Sequence, residues 1–137
     1  MSLIKLIDFS ILGDSRGSLV ALESNKNVPF DIKRVYYIFG TKNQVSRGFH
    51  AHKDLQQIAV CVSGSCEFLL DDGKTRESVV LDNPSRALYI DNNKWREMHN
   101  FSDDCVLLVL ASKYYDESDY IRDYNEFLKG LENEASS

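Results

Sequence analysis

Histidine occurs three times in this 137-residue chain, and two of the three, His50 and His52, are separated by a single alanine. Residues two apart on a β-strand point to the same side, so both rings would enter one space together. Imidazole titrates near pH 6.5 in isolation and can accept or deliver a proton close to neutrality. Beside tyrosine hydroxyls, such a pair suits removal of a proton next to a carbonyl and its return elsewhere. Arginines in the same space would grip a phosphate or diphosphate in bidentate fashion, and an arginine can also stabilise an enolate. By pattern alone the bland reading stays open beside this one: satisfied strand histidines, a core tyrosine and solvated arginines.

The elements that must position these groups read as short strands. From residue 3 to about 111 the chain alternates between apolar, β-branched and aromatic runs and turn chemistry. The runs are Leu3–Phe9, Ser18–Leu22, Arg34–Phe39, Ile58–Val62, Cys66–Leu70, Ser78–Leu81, Ala87–Ile90, Lys94–Asn100 and Cys105–Ala111. Between them lie Gly13-Asp14, Ser63-Gly64, Asn83-Pro84 and Asp91-Asn92-Asn93, with Asp72-Gly73 the strongest hairpin signal. So many short strands predict an all-β sandwich or barrel. After Ser118 or Asp119 as cap, Tyr120, Ile121, Tyr124, Phe127, Leu128 and Leu131 trace one helical face, predicting a C-terminal helix over about 119–131. That stripe reads as the face that docks on the barrel, with a partner-binding helix as the other option. Residues from Glu132 onward read as a frayed tail. With no repeat or linker, the chain is expected to form a single domain over residues 1–137.

Composition narrows the chemistry. Sixteen Lys plus Arg stand against 21 Asp plus Glu, a formal net charge of −5. The acidic balance argues against nucleic acid, whose phosphates reward clustered cations, yet leaves room for a small anionic ligand held by a local field. Cys61, Cys66 and Cys105 sit among apolar residues without C-x-x-C spacing, and are expected to be buried, reduced thiols. The longest purely apolar stretch, Cys105–Ala111, is far below the roughly 20 residues of a membrane-spanning helix. A soluble, cytoplasmic protein with no membrane partner is the expectation.

The segment Arg47-Gly48-Phe49-His50-Ala51-His52 with Gly64 downstream resembles the first motif of the cupin superfamily. In metal-binding cupins a Glu stands five residues after the second His, and here that position is Gln57. The second motif would supply one more His, with Asn four residues later, and the matching spacing falls on Arg96 and Asn100. A guanidinium has no free lone pair and cannot ligate a cation, so no metal is expected, although His99 lies close enough in sequence to fill a vacancy. Longer segments narrow the likeness. Asp14-Ser15-Arg16-Gly17-Ser18-Leu19, Lys33–Phe39, Arg47–Lys53, Ala111–Glu117 and Asp119-Tyr120-Ile121-Arg122 are similar to the sugar 3,4-ketoisomerases, the WxcM-like cupins, from about residue 4 to residue 130.

That resemblance implies a cupin barrel with a C-terminal helix, no metal or cofactor, and a homodimer that exchanges N-terminal strands. It implies a dTDP-linked 4-keto-6-deoxyhexose as substrate. The ketone would move from C4 to C3, on the way to 3-acylamino-3,6-dideoxyhexoses of bacterial surface glycans such as lipopolysaccharide O-antigen and S-layer glycans. His50 is then the expected base, His52 and Tyr36 its partners in proton transfer, and Arg16, Arg47, Arg96 and His99 the substrate-binding set. In the family, His at position 96 goes with the galacto product; Arg at 96 with Tyr at 16 goes with the gluco product. Arg at both positions here mixes the markers, and the expectation leans to gluco. A related dTDP-sugar epimerase and a non-catalytic sugar-nucleotide-binding domain are the alternatives.

Overall fold

The computed structural model describes residues 2–135. Its strands, in chain order, are β1 Lys5–Asp8, β2 Leu12–Asp14, β3 Gly17–Leu19, β4 Arg34–Ile38, β5 Arg47–His52 and β6 Gln57–Ser63. They continue with β7 Cys66–Asp71, β8 Arg76–Leu81, β9 Arg86–Ile90, β10 Trp95–His99, β11 Val106–Ala111 and β12 Tyr120–Ile121, and helix α1 (Tyr124–Ala135) closes the chain. Two antiparallel sheets face each other as a cupin barrel, one ordered β1-β9-β6-β11-β4 and the other β12-β5-β10-β7-β8. Each run expected from the sequence overlaps one of these strands, within two residues at most ends.

Alternation explains how the sheets pack. On β6, Ala59 and Cys61 point into the barrel, where they join Phe68, Leu70, Leu88, Phe101, Leu107 and Val109. Ile58 and Val60 point outward and are covered by Val28 and Phe30 from the segment between β3 and β4. Strand β6 is therefore buried on both faces, which is why its sequence reads as a continuous apolar run. The β7–β8 hairpin closes over Asp72-Gly73 as expected, with Gly73 at φ +91° and the Asp72 carboxylate accepting from the amides of Lys74 and Thr75.

Two boundaries differ from expectation. The helix begins at Tyr124 instead of about 119, because Tyr120 and Ile121 pair as β12 with His52 and Ala51 of β5. Asp123 is the cap: its side chain accepts from the Glu126 amide at 3.1 Å and its carbonyl from the Phe127 amide at 3.0 Å. Ser118 and Asp119 belong to a single 3-10 turn, Glu117–Asp119, capped by Asp116. At the other end the helix runs through the expected tail to Ala135; the last two residues lie outside the described ones. The apolar stripe does dock, with Phe127, Leu128 and Leu131 packed on Ala51 and Trp95 at the outer face of β5 and β10. No helix among the described residues is long and apolar enough to cross a membrane.

Strand β1 pairs with β9 of its own chain, and the segment left standing off the barrel is the β2–β3 hairpin, exposed along its whole length.

Candidate functional site

Strand β5 carries the histidine pair, and a bulge sets its aim. Gly48 and Phe49 have φ of +92° and +59°, and the register against β10 shifts between Arg96 and Glu97. A Cβ at Gly48 would meet the Arg96 carbonyl at 3.0 Å, so the bulge requires glycine there. Because one residue is looped out, Arg47 borders the same cavity as His50 despite its odd spacing from it. Beyond the bulge, His50 and His52 point the same way, their ring centroids 5.0 Å apart and edge to face. Tyr120 of β12 covers both, at 5.1 Å from His50 and 4.3 Å from His52.

Arg96, directly across from His50, enters the barrel and is almost fully buried. Its guanidinium donates to the Gln57 side-chain oxygen and, at 3.1 Å, to the Lys94 carbonyl. The Gln57 amide nitrogen donates in turn to the Tyr36 hydroxyl at 3.1 Å. His52 is held from the other side, its Nδ1 3.1 Å from the Asp119 carboxylate, which also accepts from the Asp54 amide. Its Nε2 is buried and has no hydrogen-bond partner among the described residues.

These surroundings move the histidines away from the reference value. Burial first, and then the charge of Arg96, hold His50 down at about 4 and His52 at about 2. Both rings are thus neutral at pH 7, each with a lone pair to receive a proton. With Nδ1–H donated to Asp119, the lone pair of His52 lies on Nε2. Burial pulls the Arg96 guanidinium down to about 10, still well above neutrality, so it stays cationic. Burial raises the Tyr36 phenol, while Arg96 and Gln57 pull it the other way.

Tyr36, Arg47, His50, Met98, Tyr115 and Arg122 are among the residues lining a cavity of about 620 Å³. Arg34 and Tyr120 also line it, and both are shared with a second cavity of about 370 Å³ that Asp119 and Lys113 border from behind. Arg34, Arg47 and Arg122 line the larger cavity and set a local positive field inside a chain of net charge −5, as an anionic ligand requires. Arg34 lies 5.4 Å from the Tyr36 ring centroid, and Arg122 stacks at 4.3 Å over Tyr120 while paired to Glu117.

The structure therefore brings together His50, His52, Tyr36, Arg47 and Arg96. It does not bring in Arg16 or His99. Arg16 sits at the tip of the β2–β3 hairpin, its side chain 88% exposed and paired with Asp14. His99 is three residues from Arg96 on β10 and faces the other way, its ring nitrogens 2.6 Å from Ser46 Oγ and 2.9 Å from Glu97 Oε1. At the position where the second cupin motif would place a His ligand stands Arg96, a cation at neutral pH, and the amide of Gln57 is engaged by Arg96 and Tyr36. Among the described residues one other group could ligate, the thiols of Cys61, Cys66 and Cys105, within 4.8 Å of one another in the apolar core.

The family described as WxcM-like, C-terminal matches residues 2–132. The chain belongs to that family. It is 59% identical over 125 residues to a TDP-4-oxo-6-deoxy-alpha-D-glucose-3,4-oxoisomerase from Aneurinibacillus thermoaerophilus, covering 91% of this chain and 90% of that one. The crystal structure of a mutant 3,4-ketoisomerase from Thermoanaerobacterium thermosaccharolyticum in complex with TDP-4-keto-6-deoxyglucose superposes with a TM-score of 0.93 at 41% identity, over 97% and 96% of the two chains. A TDP-quinovose 3,4-ketoisomerase from Campylobacter jejuni gives 0.90 at 53% identity, over 94% and 99%.

Within this WxcM-like barrel, sequence reasoning did not assign Arg34, Gln57, Tyr115, Asp119, Tyr120 or Arg122 to the site. Arg34 had a signal: it is two residues from Tyr36 on one strand and so shares its face. Gln57 had one too, at the cupin-motif position of the ligating Glu. Asp119, Tyr120 and Arg122 had none of that strength, because they read as the start of a helix and only the β12 pairing turns them toward β5.

Proposed function

We propose that this chain is a TDP-sugar 3,4-ketoisomerase acting on TDP-4-keto-6-deoxy-D-glucose. The observation that carries the reading is the neutral His50–His52 pair beside Tyr36 and a buried arginine in a cavity walled by further arginines, in a chain 59% identical to a named oxoisomerase. His50 removes the C3 proton, which is acidic because it is adjacent to the C4 ketone. Charge then develops on O4, where Tyr36 and Arg96 stabilise it as a 3,4-enediolate. Tyr36 passes its proton to O4, and the His50–His52 network delivers a proton to C4. The O3 hydroxyl returns a proton to Tyr36 as O3 becomes the ketone, so the shift completes with no net proton or redox change. His52, oriented by Asp119, serves the same proton-transfer network. Arg47, Arg34 and Arg122 hold the diphosphate. No residue in this sequence of steps is asked to hold a metal or cofactor.

The product is read as the gluco-configured 3-ketone, for Arg96 stands directly across from His50, the residue assigned as the base; the 53% identity to a quinovose ketoisomerase supports it. A 3-ketone of this kind is the substrate an aminotransferase needs, which agrees with a place ahead of 3-amino sugar synthesis for surface glycans. The exposed β2–β3 hairpin, with Ile11, Leu12 and Leu19 all more than half exposed, supports a homodimer in which this arm, and not β1, is exchanged. It would carry Arg16, together with its ion-pair partner Asp14, to the second subunit. Edge strand β4 offers the matching apolar row Val35, Tyr37 and, just beyond it, Phe39.

Incubation with TDP-4-keto-6-deoxyglucose in D₂O tests the reading. Deuterium at C4 with a new 3-ketone is expected, and NMR of the product gives the C4 configuration. Deuterium without movement of the ketone would make it an epimerase, and no exchange a binding protein. Sedimentation of the wild type, and of Arg16→Ala with its activity, tests the dimer: a monomer with full activity would refute it.

A further inference from the structure

We propose that Gln57 is a positioning residue that obliges the Tyr36 hydroxyl to act as a donor into the cavity and then supports the oxygen once its proton has gone. The inference rests on the ketoisomerase reading for its catalytic consequence, but its geometry stands without it.

The direction of each hydrogen bond follows from what the groups can do. A guanidinium only donates, so the Gln57 atom facing Arg96 must be the carbonyl oxygen. That fixes the amide orientation and turns the NH₂ group toward Tyr36. An NH₂ only donates, so the Tyr36 oxygen accepts and its own proton must point elsewhere. Gln57 is 3% exposed, so no bulk water competes for either contact. The open side of Tyr36 is the cavity shared with His50. An ordered line of donors thus runs from β10 through β6 to β4 and ends on a substrate oxygen.

The chemistry explains why an amide suits this place. When Tyr36 gives its proton to O4, one O–H bond breaks and another forms, leaving a phenolate. The Gln57 N–H and the Arg96 charge stabilise that phenolate, which recovers a proton from the O3 hydroxyl as O3 becomes the ketone. A carboxylate at position 57 would reverse the line. It would pair with Arg96, accept the phenol proton for itself and withhold it from the substrate. The other groups facing Tyr36 are Arg34 on its own strand, Tyr120 on β12 and His50 on β5, and none of them is altered by the change.

Gln57→Glu is therefore the informative variant, since it keeps a partner for Arg96. The expected loss in kcat is about 10²–10³-fold, the usual cost of one lost oxyanion donor, with KM little changed. Placed in a Tyr36→Phe background, Gln57→Glu should cost nothing further, because its effect passes through the phenol. Independent losses that multiply would overturn the proposal, as would a Gln57→Glu enzyme of wild-type kcat. An ultraviolet tyrosinate titration, with Tyr36→Phe as blank, gives a readout free of turnover: Tyr36 should ionise at higher pH in Gln57→Glu than in the wild type. If the wild-type chain moves no ketone, the ketoisomerase reading fails, and the titration alone decides Gln57. An upward move then supports the proposal and an unmoved Tyr36 overturns it.

Discussion

The two ends of the barrel interior are built from the same strands and treat buried titratable groups in opposite ways. Strand β6 begins with Gln57 in the polar end and reaches Cys61 in the apolar end four residues later; β10 passes from Arg96 to Met98. At the apolar end, the Cys66 sulfur and burial push the Cys61 thiol far up, and burial pushes Cys105 up to about 12. At the polar end, burial and Arg96 push both histidines down. Both responses keep the group neutral, which is what a poorly solvating interior demands. The consequences differ because a neutral thiol has lost its nucleophile, whereas a neutral imidazole has kept its lone pair. Burial makes the cysteines packing residues and leaves the histidines able to take a proton.

The comparison can be broken most forcefully at His50. His50→Asn should lower turnover by about 10²–10⁴-fold, the range for a lost general base, while leaving the midpoint of chemical denaturation nearly unmoved. Retained activity would remove His50 from the base role. At the apolar end the pattern should invert. Phe101→Ala, at a fully buried position, should cost about 3–5 kcal/mol of stability by denaturant titration, with kcat preserved in the protein that remains folded. A large loss of kcat at unchanged stability would contradict the division of labour.

Acid should act next, and on the polar end alone. The folded pKa of His50 lies below its unfolded value near 6.5, so unfolded chains take up protons first as pH falls. The contribution is intact above pH 6.5 and is lost as pH drops toward about 4, and the acid limb of kcat should lie in that lower region too. A rate profile falling through pH 6.5 would show that the rings are not held neutral. The smallest effect is expected at Cys61→Ser, about 1–3 kcal/mol for a hydroxyl placed among apolar neighbours, measured by thermal or denaturant unfolding. A stabilised variant would mean that the thiol end is more polar than its packing suggests.

Much of this protein is settled by local chemistry. Alternating apolar runs, Asp72-Gly73 and the fixed parity of His50 and His52 specify strands, a hairpin and a shared face, because each depends on residues a few positions apart. Arg96 argues against a metal wherever it lies, since a guanidinium cannot ligate. What the fold alone decides are relations between distant segments. The match of Gln57 to both Arg96 and Tyr36 joins three strands, and no periodicity reveals it. Tyr120 and Ile121 fit a helical stripe equally well until pairing with β5 claims them as a strand, since an edge that needs backbone partners outweighs local periodicity. The parity of β10 that turns His99 away from Arg96, and the bulge that turns Arg47 toward His50, are likewise tertiary facts. The sequence by itself determined which groups could move a proton. Only the packed barrel decided which of them meet, and that they meet neutral, because desolvation by surrounding strands sets their charge.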